Sequence, residues 1–144
     1  MKPVEQYKIF VVDDDFFYQN VFHQHLENLG YNDINLFNSG FDCLQQLNEK
    51  PDVIFLDYNM DNLTGYEVLK KIKRFNPDIY VVMVSAQEEI KPAVDALKHG
   101  AFDYIQKGED DQLKVKQVLL KISEVRDLLD RSKPTILKKI FQFF

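Results

Sequence analysis

The sequence predicts an α/β protein, a parallel β-sheet with helices on both faces. Two observations predict it. Short, near-continuously apolar runs rich in β-branched and aromatic residues recur along the 144 residues. Between them lie longer segments with apolar residues three and four apart. Strict alternation of this kind gives a parallel sheet joined by right-handed crossovers. Strands buried on both faces also lose the in–out alternation of a half-exposed sheet.

The expected strands are "KIFVVD" (8–13), "INLFN" (34–38), "VIFLD" (53–57), "IYVVMVS" (79–85) and "FDYIQK" (102–107). In 16–29, Phe17, Val21, His25 or Leu26, and Leu29 form one helical stripe. In 39–49, Ser39 is placed to cap a helix whose apolar side holds Cys43, Leu44 and Leu47, with Pro51 stopping it. Val68, Leu69, Ile72 and Phe75 mark 65–75, which ends at Asn76-Pro77. Segment 90–99 closes on Gly100, a natural C-terminal cap. Segment 110–130 repeats Leu113, Val115, Val118, Leu119, Ile122, Val125, Leu128 and Leu129. These five units fill a single domain, 1–131. The remainder, 132–144, is basic and aromatic, with Ile136, Leu137, Ile140, Phe141 and Phe144 on one stripe and Lys138 and Lys139 opposite. It reads either as a docking tail or as a truncated linker.

Composition narrows the class. With 45% hydrophobic and 28% charged residues the chain is an ordinary globular protein. A net charge of −5 gives no general attraction to nucleic acid or anionic membrane. The single cysteine, Cys43, excludes an internal disulfide framework, fits a reducing cytosol and is expected in the core. The opening "MKPVEQYK" has no apolar signal region, and no apolar run approaches the roughly 18 residues of a membrane span. A cytoplasmic protein is expected. His23, His25 and His99 show no metal-ligand spacing and read as surface or packing residues.

The stretch "FLDYNMDNLTGYEVL" (55–69) carries the chemistry. Asp57, Asn59 and Asp61 resemble the start of a calcium loop, but such a loop needs glycine at position six and glutamate at position twelve. Counted from Asp57 these are Asn62 and Val68, and the preceding "PDVIFL" is a strand where the motif needs a helix. Asp57 therefore ends strand three. In doubly wound sheets ligands bind beyond the carboxyl ends of the strands, where strand order reverses. If the order is 2-1-3-4-5, strand one lies beside strand three there, and it ends in Asp13, Asp14 and Asp15. Packed carboxylates repel, so some protonate or a hard cation binds, and Mg²⁺ (or Mn²⁺) suits oxygen ligands. Strand four ends in Ser85 and strand five in Lys107. A nucleophilic carboxylate, a metal, a hydroxyl and an ammonium make a phosphoryl-transfer constellation, with Asp57 forming an acyl phosphate. The alternative for Asp13–Asp15 is helix capping alone, and Asp15 is the expected cap.

From residue 8 to about 130, these motifs resemble the receiver domains of bacterial two-component response regulators, including the stand-alone chemotaxis regulators. The resemblance implies a flavodoxin-like (βα)5 fold. It implies that Asp57 is the phosphoacceptor and that Asp13, Asp14, Asp57 and the backbone carbonyl of Asn59 hold the metal. Ser85, followed by Ala86, matches the switch hydroxyl, Tyr104 the aromatic switch position and Lys107 the lysine. Met60 and Gly65 fit the loop. Two positions depart from the pattern. Asp61 stands where proline is usual, adding a carboxylate near the metal. Gly108 follows Lys107 where a cis proline is usual, and a trans bond is expected because a non-proline cis bond costs about 2.5–4 kcal/mol. Tyr58, Asn59 and Gln87 lie where members vary and tune phosphoryl lifetime.

The implied function is a phosphorylation-dependent switch. Asp57 accepts a phosphoryl group from a histidine kinase or phosphotransfer protein, and the face formed by helix four, strand five and helix five changes for an unknown downstream protein. Such a domain catalyses its own transfer and dephosphorylation and is not an enzyme acting on others. It is a monomer or a phosphorylation-dependent homodimer, acting alone or on an effector outside this sequence. One competing class is an aspartate-nucleophile phosphatase, which needs a second Asp where Asn59 stands. The other is a degenerate receiver working only as an interaction domain. For Tyr104 the plain alternative is half-buried packing.

Overall fold

The structure is a computed structural model and describes residues 6–86 and 90–132. The elements are β1 (Ile9–Val12), α1 (Phe16–Asn28), β2 (Ile34–Phe37), α2 (Gly40–Gln45), a 3₁₀ turn (Leu47–Glu49), β3 (Val53–Asp57), α3 (Gly65–Phe75), β4 (Tyr80–Ser85), α4 (Ile90–Lys98), β5 (Asp103–Gln106) and α5 (Asp111–Ser132). The sheet is parallel throughout, in the order β2-β1-β3-β4-β5. This is the expected fold, with strand order reversing between β1 and β3.

The two-residue period of the strands divides the core into two layers. Ile9 and Val11, Val53 and Phe55, and Val82 and Val84 face α1 and α5, where they meet Phe22, Leu26, Val115, Val118 and Ile122. The intervening Phe10, Val12, Ile54, Leu56, Val81 and Met83 meet Cys43, Val68, Leu69, Ile72 and Ala96 on α2, α3 and α4. The central strands β1 and β3 are buried end to end, whereas the edge strand β2 is half-buried along its length.

Several expected faces are corrected. Phe17 is 75% exposed, and the buried side of α1 is Gln19, Phe22 and Leu26. Residues 16–18 are all aromatic and Val21 and Phe22 are both apolar, so either phase satisfied the periodicity. The expected helix 39–49 is a six-residue α2 capped by Ser39, followed by the 3₁₀ turn. Phe75, Leu113, Leu128 and Leu129 lie exposed instead of on the buried stripes. A 22-residue α5 extends about 33 Å, while a five-residue strand spans about 17 Å, so its distal turns overhang the sheet. Gly100 takes φ 103° just beyond α4, the left-handed cap geometry that glycine adopts freely. No helix among the described residues is long and apolar enough to cross a membrane. Gln87 and the tail from 133 to 144 lie outside the described residues.

Candidate functional site

Strand register brings the acidic residues together. Val12 pairs with Leu56, so the next residues along, Asp13 and Asp57, stand side by side at the carboxyl edge. By the same period Asp13, Asp57 and Lys107 project toward α1 and α5, and Ser85 projects to the opposite layer with Met83. Asp13 and Asp57 are only 3% and 4% exposed. Asp14 is exposed, and the three carboxylates each offer an oxygen within 4.8 Å of one another.

Each carboxylate is held by its own loop. The Asp15 amide donates to Asp13 Oδ1 at 2.9 Å, and Asp15 itself caps α1 by accepting from the Phe17 and Tyr18 amides. Buried Gln19 donates to the carbonyls of Asp13 and Phe37 and to Asn38 Oδ1, tying the ends of β1 and β2 together. The Asp61 amide donates to Asp14 Oδ2 at 3.2 Å, a bond that the usual proline could not make. Gly65 opens α3 directly against β3, with its amide donating to the Tyr58 carbonyl at 3.0 Å. A Cβ there would collide with the Asp57 carbonyl oxygen, Tyr58 Cα and Met83 Cε.

Lys107 closes the site. Its amide donates to the Ser85 carbonyl at 2.7 Å, and its ammonium lies 3.1 Å from Asp13 Oδ2 and 3.5 Å from Asp57 Oδ1. Burial and the Asp13 charge push the Asp57 carboxyl up to about 7, against the pull of Lys107 and the Asn59 amide. One cation beside three carboxylates leaves excess negative charge in a poorly solvated place, which a divalent cation relieves. The donor set is all oxygen and mostly anionic, and it fits Mg²⁺. Ser85 is fully buried. Tyr104 packs against the α2–α4 layer, and its hydroxyl is buried without a hydrogen-bond partner among the described residues. The described residues contain no cis peptide bond, so Lys107–Gly108 is trans as expected.

Two neighbours escaped the sequence reading. The Tyr18 ring lies under Lys107, with Nζ 4.1 Å from its centroid. Its hydroxyl donates to Asp111 Oδ2 at 2.6 Å. Burial, the bond to Asp111 and the surrounding carboxylates push the Tyr18 phenol far above its ordinary value, so it keeps its proton. Only the correct phase of α1 would have exposed Tyr18 as site-facing, and a pair 93 residues apart leaves no local signal. The histidines behave as packing residues: His23 meets Glu27, His25 meets Gln112 and His99 meets Tyr66. Cys43 is buried in the core.

Residues 9–119 match the response regulator receiver domain family. Over 107 residues the chain is 40% identical to the transcriptional regulatory protein ZraR of Klebsiella oxytoca, covering 74% of this chain and 24% of that protein. It is 35% identical over 107 residues to the luminescence regulatory protein LuxO of Vibrio campbellii, covering 73% and 23%. The chain thus spans about a quarter of the length of these curated relatives. Among solved structures, it is similar to a receiver domain protein from Clostridium thermocellum (TM-score 0.78, 25% identity, 85% of this chain and 98% of that one). It is also similar to the CheX–CheY–BeF3–Mg complex of Borrelia burgdorferi (TM-score 0.75, 26% identity, 81% and 88%). With its five parallel strands, reversed order at β1 and β3 and acidic edge, the chain belongs to the response regulator receiver domain family.

Proposed function

We propose that this domain is a phosphorylation-dependent switch in a two-component relay, with Asp57 as its acceptor. The observation that carries the reading is the gathering of Asp13, Asp14 and Asp57 within 4.8 Å, with the Lys107 ammonium 3.1 and 3.5 Å from two of them. A histidine kinase or phosphotransfer protein presents a phosphohistidine. An ionised Asp57 oxygen forms a bond to phosphorus, the P–N bond breaks, and the imidazole leaves with the electron pair and takes up a proton. Asp13, Asp14, Asp57 and the Asn59 carbonyl would hold Mg²⁺, which would supply positive charge to offset that of the carboxylates and the incoming phosphoryl group. Lys107 holds a second positive charge where the phosphoryl oxygens arrive, and Ser85 donates to one of them.

The acyl phosphate adds up to about two negative charges at the end of β3. Ser85 and Tyr104 then move, and the α4–β5–α5 face shifts between two states that a downstream protein distinguishes. The Tyr104 hydroxyl has no hydrogen-bond partner among the described residues, which supports a switching role, because the ring would break no bond to them when it turns. The domain catalyses only its own phosphorylation and dephosphorylation. Intact mass after incubation with Mg²⁺ and acetyl phosphate tests the reading: wild type gains one phosphoryl group and Asp57→Asn gains none. Absence of the adduct, together with absence of beryllofluoride binding, would leave a degenerate interaction domain.

A further inference from the structure

The loop turns away from Lys107 on a residue that restrains it little. Gly108 follows the lysine, is exposed, and has nothing within 4 Å of where a Cβ would stand. Glycine is the residue least able to restrain its own backbone. Yet Lys107 must hold its ammonium over two buried carboxylates, and a long flexible side chain loses considerable rotamer freedom there.

Three contacts compensate, made by Asp111 at the start of α5 and by Tyr18 on the distant α1. The Gly108 amide donates to Asp111 Oδ1 at 3.0 Å. The other oxygen of that carboxylate, Oδ2, accepts from Tyr18 at 2.6 Å. The face of the same Tyr18 ring lies 4.1 Å from Lys107 Nζ. Asp111 is 8% exposed, and Lys114 Nζ lies 3.8 Å away across the helix turn. A small cavity is lined by Tyr18 together with Asp13 and Asp57, so the ring borders the same space as two of the carboxylates. Ring and hydroxyl thus act on the two ends of one short segment. The ring supports the ammonium by cation–π attraction, and the charge-assisted bond to Asp111 fixes the backbone that delivers it.

We infer that Tyr18, through Asp111, is the positioning residue for Lys107, bracing from α1 a β5–α5 loop that Gly108 leaves unrestrained. The inference rests on the phosphoacceptor reading of Asp57, and it makes Tyr18 a determinant of phosphorylation rate that touches no metal ligand through its hydroxyl.

The test compares wild type, Tyr18→Phe, Asp111→Asn, the double variant and Tyr18→Leu, reading the acetyl phosphate rate by intact mass and Mg²⁺ affinity by calorimetry. Tyr18→Phe removes only the hydroxyl, and the loss of one charge-assisted bond should slow phosphorylation by about tenfold. Mg²⁺ affinity should not fall, because Lys107 shares Asp13 and Asp57 with the metal and a looser ammonium competes less for them. The double variant should be no slower than the slower single, since both break one chain of contacts. Tyr18→Leu should be slower again. Should Tyr18→Leu fail to fold, Tyr18→Phe still decides. Wild-type rates in Tyr18→Phe, losses that multiply in the double variant, or equal losses of rate and Mg²⁺ affinity would overturn the inference. Failure of wild type to phosphorylate would count against the Asp57 reading instead, and the brace is then read by NMR. The Lys107 ε-methylene protons should be shifted upfield by the Tyr18 ring and return in Tyr18→Leu. An unshifted wild-type signal would refute the brace.

Discussion

Replacing the acceptor should make the metal-free protein more stable, by an amount that depends on pH. Asp57 is buried beside Asp13, and its carboxyl rises from 3.8 in a free chain to about 7 in the fold. Below the lower value both states hold the proton and the site costs nothing. Between the two values only the folded state keeps it, so raising the pH favours unfolding, and above about 7 the cost is complete. Integrating the linkage between these values gives a cost of roughly 2 kcal/mol at pH 5 and roughly 4 kcal/mol at pH 8. Asp57→Asn removes the charge and the cost, while Lys107 keeps Asp13 at 3.1 Å. Urea unfolding of both proteins in EDTA, across pH 5 to 8, should therefore show the variant ahead by a margin that widens by roughly 2–3 kcal/mol. Added Mg²⁺ should narrow the margin, because it binds the ionised native site and stabilises wild type by about 2.7 kcal/mol at a hundredfold excess over its Kd. A margin independent of pH, or a wild type at least as stable at pH 8, would refute the assignment of strain to the Asp57 charge.

Two further substitutions probe the surroundings. Tyr104→Phe removes a buried hydroxyl that has no partner among the described residues, and should raise stability by about 1 kcal/mol in urea unfolding; an equal loss would mean that the hydroxyl is bonded. Gly65→Ala places a methyl against the Asp57 carbonyl and Tyr58 Cα, backbone atoms that cannot step aside cheaply. It should cost about 1–3 kcal/mol and slow phosphorylation, whereas wild-type stability would show that α3 can slide away from β3.

The alternation of strands and helices, and with it the parallel sheet, was legible in the chain, because an apolar run too short for a helix has few other places to go. The acidic edge was legible as well. Asp13 and Asp57 each end a run that can only be a buried strand, and parallel strands deliver their carboxyl ends to one side. Asp15 and Ser39 were legible as caps, because capping is a bond between residues two or three apart.

Packing in the folded protein selects which face of α1 is buried. Aromatic residues at 16, 17 and 18 supply apolar surface in every phase, and only packing of Phe22 against Phe55, with ring centroids 4.9 Å apart, selects one. Tertiary structure also decided where α5 stops being buried, since that depends on how far the sheet extends beneath it. It decided the partners of Lys107 as well. The lysine announced itself at the end of β5, but the ring beneath it comes from α1 and the carboxylate bracing that ring from α5. Their meeting depends on both helices lying on the same face of the sheet, and such contacts over 93 residues of chain have no periodicity or spacing for a sequence to display.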